Sequence, residues 1–306
     1  MATKKRWVYV GICLATTFWG MSFLWTGQLL NLNFPMYSLI FLRIVIAAGI
    51  LLVSLSLWRK LQRPKWKDFK WFALMTLLEP FLYFIGETNG IKITGSPTIA
   101  SIIIATIPIF ALAAGYYFFK ERLSKTNIFG MLLSVFGVAV AMLDSNFSLS
   151  VDPVGVALLF FAVFTAVGYT LVTKKLSSSY NTFTIVTIQN VLGALFFLPF
   201  FFLESKEFAA FHLSWNAVYP LLMLALFPTC VSFMLYIHTL KIIGVSKTSM
   251  FTTLTPLVTM ILAFIIGQEM VNEQKVIGAL IAVAGLLLSQ WTRNTFKEAK
   301  LSTPKE

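Results

Sequence analysis

Ten stretches of about 20 residues, almost free of charge, divide the sequence: 7–27, 35–57, 69–89, 95–118, 126–143, 153–173, 182–203, 214–239, 247–267 and 274–292. A bilayer core about 30 Å thick takes about 20 helical residues to cross. Inside it every backbone N–H and C=O must find a partner within the protein, which leaves helices or a closed barrel. These runs are too long for barrel strands and lack their alternation. The expected fold is an all-α integral membrane protein with ten transmembrane helices. Composition agrees: 58% of residues are hydrophobic and 12% charged, against about 45–50% and about 25% in soluble domains. A soluble enzyme is excluded for want of polar surface, and disorder by thirty Phe and eight Trp.

Charge sets the orientation. A net charge of +12 could suggest nucleic acid, but the basic residues lie in short clusters between apolar runs, so no nucleic-acid partner is expected. Taking alternate connecting segments, twenty Lys and Arg fall on the side of the N-terminus and three, Lys92, Lys206 and Lys275, on the other. Cytoplasmic segments carry the excess of Lys and Arg, so both termini are expected in the cytoplasm and the number of spans is even. Arg43 lies within a span. The first run, after Lys4-Lys5-Arg6, lacks a small-residue cleavage site and is read as a retained helix. Cys13 and Cys230 both sit in apolar runs and form no disulfide framework.

The chain repeats itself at a separation of 148 residues: Gly20 with Gly168, Pro80 with Pro228, Pro108 with Pro256, Glu121 with Glu269, Gly130 with Gly278, and Gly137 with Gly285. Prolines and an acidic residue do not recur at one offset merely because membrane helices share Leu and Ile. The halves are read as 1–146 and 147–294, followed by a cytoplasmic tail, 295–306. Five spans per copy is odd, so the second copy enters the membrane inverted. Inverted repeats are the construction by which secondary transporters alternate access to a site near the midplane.

The segments Thr16-Thr17-Phe18-Trp19-Gly20-Met21-Ser22-Phe23, Phe41-Leu42-Arg43, Ala100-Ser101, Pro108 and Lys120-Glu121-Arg122-Leu123, with their counterparts 148 residues later, carry a family likeness. The chain resembles the EamA-type branch of the drug/metabolite transporter superfamily over nearly its whole length. Lys120 and Gln268 stand where that family usually has Gly before the turn glutamate. The resemblance implies a cavity surrounded by spans 3, 4, 8 and 9, a small-molecule cargo, export across the plasma (bacterial inner) membrane, and no cofactor.

Candidate site residues follow from depth and chemistry. Pro80, Pro108, Pro228 and Pro256 lie within spans, and each removes a backbone hydrogen bond; they are read as kinks lining the path and serving gating. Glu79 is ten residues from Phe69, about 15 Å into the membrane. A carboxylate at the bilayer centre costs at least ~2.5–3.5 kcal/mol, so it is protonated, paired or facing a wet cavity, and it is a candidate for substrate contact or proton coupling. Its counterpart is Phe227, so duplication alone does not account for it. Arg43, at a comparable depth, is read as structural or gating, with an ion pair to Glu79 open to it. Tyr83 is one turn beyond Glu79 on the same face. Trp19, Tyr169, Phe233 and Tyr236 offer aromatic area with polar handles; Ser101 and Thr252 offer hydroxyls, which can equally bond their own backbone. Two separated histidines, His212 and His238, make no metal site.

No G-x-S-x-G, H-E-x-x-H or P-loop is present. A secondary transporter exporting amino acids or other small amphipathic metabolites by alternating access is therefore the favoured function, in contact with bilayer lipid and with protons as a candidate coupling ion. Import or exchange of phosphorylated or nucleotide-linked sugars would call for more cationic groups in the path than Arg43. A membrane enzyme or scaffold acting on lipid would call for catalytic polar residues clustered at one face, and none is evident. Oligomeric state is not legible.

Overall fold

The computed structural model describes residues 2–58, 61–119, 124–144, 148–243, 248, 251–269 and 272–289. The Lys120-Glu121-Arg122-Leu123 turn and the tail 295–306 lie outside them. Helices account for nearly all the described residues, and β pairing among them is one isolated bridge, Leu143 with Leu149. In chain order the helices are α1 Ala2–Asn31, α2 Met36–Trp58, α3 Phe69–Thr76, α4 Tyr83–Thr94, α5 Pro97–Ile104, α6 Ile107–Phe119, α7 Lys125–Ala141 and α8 Pro153–Ser177. There follow α9 Thr182–Leu203, a short α10 Ser205–Ala210, α11 Trp215–Leu224, α12 Phe233–Ile243, α13 Thr255–Ile266 and α14 Glu273–Ser289.

Six helical segments are long and apolar enough to cross a membrane: Trp7–Asn31, Met36–Ser54, Trp66–Thr94, Pro153–Ser177, Thr182–Leu203 and Trp215–Ile243. Shorter apolar helices cover Pro97–Ala113, Lys125–Ala141 and Thr255–Ile266. Length alone thus gives six spans among the described residues, not the ten read from the apolar runs. The fourth run is broken at Ala105–Thr106, and the ninth at Thr253–Leu254, after which helix resumes at Thr255.

Local chemistry sets several of the ends. Ser96 accepts from the Ile99 amide, Asp152 from Val154 and Asn181 from Thr184, each occupying a donor that the first helical turn leaves unpaired. Ser124 and Asn127 form a reciprocal capping box at the start of α7. Left-handed Gly95 and Gly267 close α4 and α13. The turns after these glycines meet: Glu269 accepts from the Ser96 hydroxyl, from the Thr98 amide at 3.1 Å and from Lys275 Nζ at 2.6 Å. This carboxylate sits at the N-terminus of α5, where the helix dipole favours negative charge. Beside it Gln268 donates to the Leu24 carbonyl at 2.8 Å, which gives a packing reason for an amide in place of glycine.

The interruptions repeat as the sequence does. Between α3 and α4 the chain winds more widely over Leu77–Leu82, with Glu79 in an extended conformation (φ −149°, ψ 121°). Between α11 and α12 it does the same over Ala225–Ser232, around Pro228. The break at Ala105–Thr106 precedes Pro108, and the one at Thr253–Leu254, 148 residues on, precedes Pro256. All four prolines therefore stand at or just after breaks in helical winding.

Packing relates the halves in the same way. On α7, Gly130, Ser134, Gly137 and Ala141 share one face against α14, while Phe129, Leu132 and Phe136 point outward and stay exposed. A Cβ on Gly130 would overlap the backbone of Ser289 and Gly285, and one on Gly137 the backbone of Ala282 and Gly278. Contacts that climb one helix while descending the other make the pair antiparallel. This sorting, small residues inward and large outward, is how helices associate where lipid is as apolar as Leu. The pair α2 and α9 is antiparallel as well: Tyr37 meets Phe200, at 5.2 Å between ring centroids, and further along α2 Ile44 lies beside Gly193, back along α9.

Candidate functional site

Proline at position i cannot donate to the carbonyl at i−4, so each break frees backbone acceptors that lipid cannot satisfy. At the second wide turn the Thr229 hydroxyl donates to the Leu224 carbonyl, the acceptor Pro228 leaves vacant, at 2.7 Å. The same oxygen accepts from Arg43 Nε at 3.3 Å and Nη2 at 3.2 Å. At the first wide turn the carbonyl of Glu79 accepts from Gln189 Nε2 at 3.2 Å, and Gln189 Oε1 accepts from the Tyr169 hydroxyl at 3.2 Å. The arrangement is crosswise: Arg43 on α2 holds the break in the second half, and Gln189 on α9 holds the break in the first. Pro80 is seated against Gly193, where any Cβ would collide with its ring.

Between these breaks lies a cavity of about 120 Å3. Both halves line it. Trp19 from α1 packs edge-on to Phe233 and Tyr236 of α12, with centroids 5.5 and 5.3 Å apart, and Tyr169 of α8 meets Phe233 at 6.3 Å. Gly20 lets α1 approach so closely that an added Cβ would strike Val258. Thr252 and Thr255 border the cavity beside the Pro256 break, where the Thr255 hydroxyl donates to the Thr252 carbonyl at 2.7 Å.

Three charged groups face this space. Arg43, 3% exposed, lies with its guanidinium carbon 4.3 Å from the centre of the Phe84 ring. Glu87 accepts from the Tyr83 hydroxyl at 2.9 Å. Glu79 is 7% exposed, and among the described residues its carboxylate has no hydrogen-bond or ion-pair partner; the one ion pair within 4.0 Å is Lys275–Glu269. The Arg43–Glu79 pairing left open by the sequence is thus not formed.

Of the residues singled out in the sequence, Trp19, Arg43, Glu79, Tyr83, Pro108, Tyr169, Phe233, Tyr236 and Thr252 border the cavity. Pro80, Pro228 and Pro256 do not; they bend the helices that carry the lining. Ser101 is fully buried, away from the cavity, and donates to its own helix at Thr98 O. Sequence reading passed over Glu87, Phe84, Ser22 and Thr170, all of which line it. Glu87 carried a signal: Glu79, Tyr83 and Glu87 are spaced four apart, which stacks them on one helical face. The lining also exceeds spans 3, 4, 8 and 9, because α1, α2 and α8 contribute.

Six spanning-length apolar helices, with a largely apolar cavity that holds Arg43, Glu79 and Glu87 between two like halves, define a multi-pass membrane protein. The model of the EamA-like transporter family matches residues 6–143 and again 153–291, and the chain belongs to that family, with two repeats. Among curated relatives, an uncharacterized transporter of Archaeoglobus fulgidus is 24% identical over 93% of this chain and 98% of its own length. The uncharacterized transporter YetK of Bacillus subtilis is 27% identical over 94% and 88%. A solved crystal structure shares the fold at a TM-score of 0.63, with 15% identity, covering 90% of this chain and 97% of its own.

Proposed function

We propose that the protein is a secondary transporter that moves amino acids or other small amphipathic metabolites outward by alternating access. Its two repeats would form ten spans in all, the second repeat inverted, with both termini in the cytoplasm and the plasma (bacterial inner) membrane as the location. The observation that carries this reading is the cavity at the seam of the two repeats, walled by Trp19 and Glu79 from one and by Tyr169 and Phe233 from the other. A site built from both halves changes its access when the halves rock against each other. The antiparallel pairing of α7 with α14 and of α2 with α9 supports inversion, since each pair is related by the repeat. Among the described residues Arg43 is the one cationic side chain in the cavity lining, and its Nε and Nη2 are engaged by Thr229. That disfavours phosphorylated or nucleotide-linked sugars.

Purified protein in liposomes should carry members of a metabolite panel, faster with a pH gradient than without. A panel that spans amino acids, amines and sugar phosphates and yields no protein-dependent flux would sink the reading. Topology has its own check: a cysteine at Ser148, in a background lacking Cys13 and Cys230, should react with an impermeant maleimide on intact cells. One placed after Lys297 should react only once cells are opened. The opposite pattern would overturn the orientation.

A further inference from the structure

We infer that the cavity's cargo is an organic cation, an amphipathic amine whose ammonium group is held by Glu79; this rests on the transport reading and names its substrate class. Arg43, Glu79 and Glu87 are the charged side chains that line the cavity. An arginine stays protonated in proteins, so it balances one of the two carboxylates and leaves a surplus negative charge in the cavity; Glu87 is the carboxylate already held, by the Tyr83 hydroxyl. Glu87 and Arg43 are each held by a neighbour. Tyr83 donates to Glu87, Arg43 donates to Thr229, and the guanidinium lies over Phe84. Arg43 is in addition tied into the helix break at Pro228 through Thr229 and the Leu224 carbonyl.

Glu79 is what remains. Its carboxylate is more than nine-tenths buried, lines the cavity, and has no partner among the described residues. A buried unpaired charge is costly, so the group holds either a proton or a positively charged occupant. The walls around it favour the second kind of ligand. Trp19, Tyr169, Phe233 and Tyr236 present aromatic rings, whose negative faces attract ammonium groups and whose area takes up an apolar body. An amino acid fits less well. Its carboxylate would need a cation, and Arg43, with Nε and Nη2 engaged by Thr229, already shares the cavity with two carboxylates.

Four probes of similar shape separate these cases: phenethylamine, phenethyl alcohol, 3-phenylpropionate and phenylalanine, titrated calorimetrically into the full-length protein in detergent. Phenethylamine should bind at least about tenfold more tightly than each of the others, the scale of a charged hydrogen-bonded contact at a desolvated site. Glu79→Gln should erase that advantage, and Glu79→Asp should keep part of it. If Glu79→Gln does not fold, the four-probe series on the unaltered protein decides alone. Affinities that ignore charge, no binding of any probe, or phenylalanine binding as tightly as the amine would each overturn the assignment. Flux in liposomes tells the two readings apart. Tight amine binding without amine flux counts against transport and leaves the site assigned. Flux of phenylalanine without amine binding leaves transport standing and removes the cation.

Discussion

Gly130→Leu and Gly285→Leu are each expected to abolish the folded protein, seen as loss of the monodisperse peak in detergent and of a cooperative thermal transition. At both positions even a methyl group meets backbone atoms of the opposite helix, Ser289 and Gly285 in one case and Ser134 and Gly130 in the other. A flexible side chain can move aside; a backbone held by its own helical hydrogen bonds cannot. Overpacking a core typically costs about 1–3 kcal/mol and occasionally more. Here a leucine must also part α7 from α14 and strip van der Waals contact along both, in an environment with no hydrophobic drive to restore it. Gly49 supplies the control. It has no neighbour within 4 Å of an added Cβ, so Gly49→Leu should leave the protein folded. Equal behaviour of Gly130→Leu and Gly49→Leu would mean that the tight contact contributes nothing to assembly.

Glu79→Gln should abolish accumulation driven by a pH gradient, a loss of tenfold or more in initial rate, while downhill flux at saturating substrate survives and no longer responds to the gradient. Gln keeps the size and most of the hydrogen-bonding capacity of the side chain but cannot exchange a proton or hold a countercharge. The backbone carbonyl of residue 79, which Gln189 secures, is untouched by the change, so the helix break should persist. Four further acidic groups line the same cavity and could carry the dependence instead: Glu87, Tyr83, Tyr169 and Tyr236. Glu87 is hydrogen-bonded to Tyr83, and Tyr169 to Gln189, which is why the unpartnered carboxylate is the one named. Gradient-driven accumulation unchanged in Glu79→Gln would falsify its role as the proton carrier.

The helical class, the duplication and the interruptions were legible because they rest on properties a sequence displays directly. Apolar run length, a fixed offset and the chemistry of proline need no knowledge of neighbours. Pro80, Pro108, Pro228 and Pro256 each fell at a break for that reason. The aromatic wall was legible in part, since Trp19 and Tyr169 stood beside repeat-related glycines. Contacts between distant helices were hidden. Arg43 looked like a partner for Glu79 because depth was the only coordinate available, whereas its position around α2 turns it to Thr229. Ser101 looked like a lining hydroxyl, but a serine in a helix can bond its own backbone, and only packing decides which way it faces. Glu87 was missed because it lies nearer a span's end, where a carboxylate costs little in the open; its burial comes from Tyr83 and the helices around it.

The contact between α7 and α14 has a further meaning when its symmetry is followed. Gly130 meets Gly285, and their counterparts 148 residues away, Gly278 and Gly137, meet each other. Exchanging the halves returns the same set of contacts, which is the property of an isologous interface between identical subunits. The molecule is in this respect a two-fold homodimer whose protomers share one chain, joined through the segment between α7 and α8. Surfaces of that kind are self-complementary, so each half carries the imprint of its own mate. A chain cut in that segment is expected to keep both faces of this contact, one on each piece.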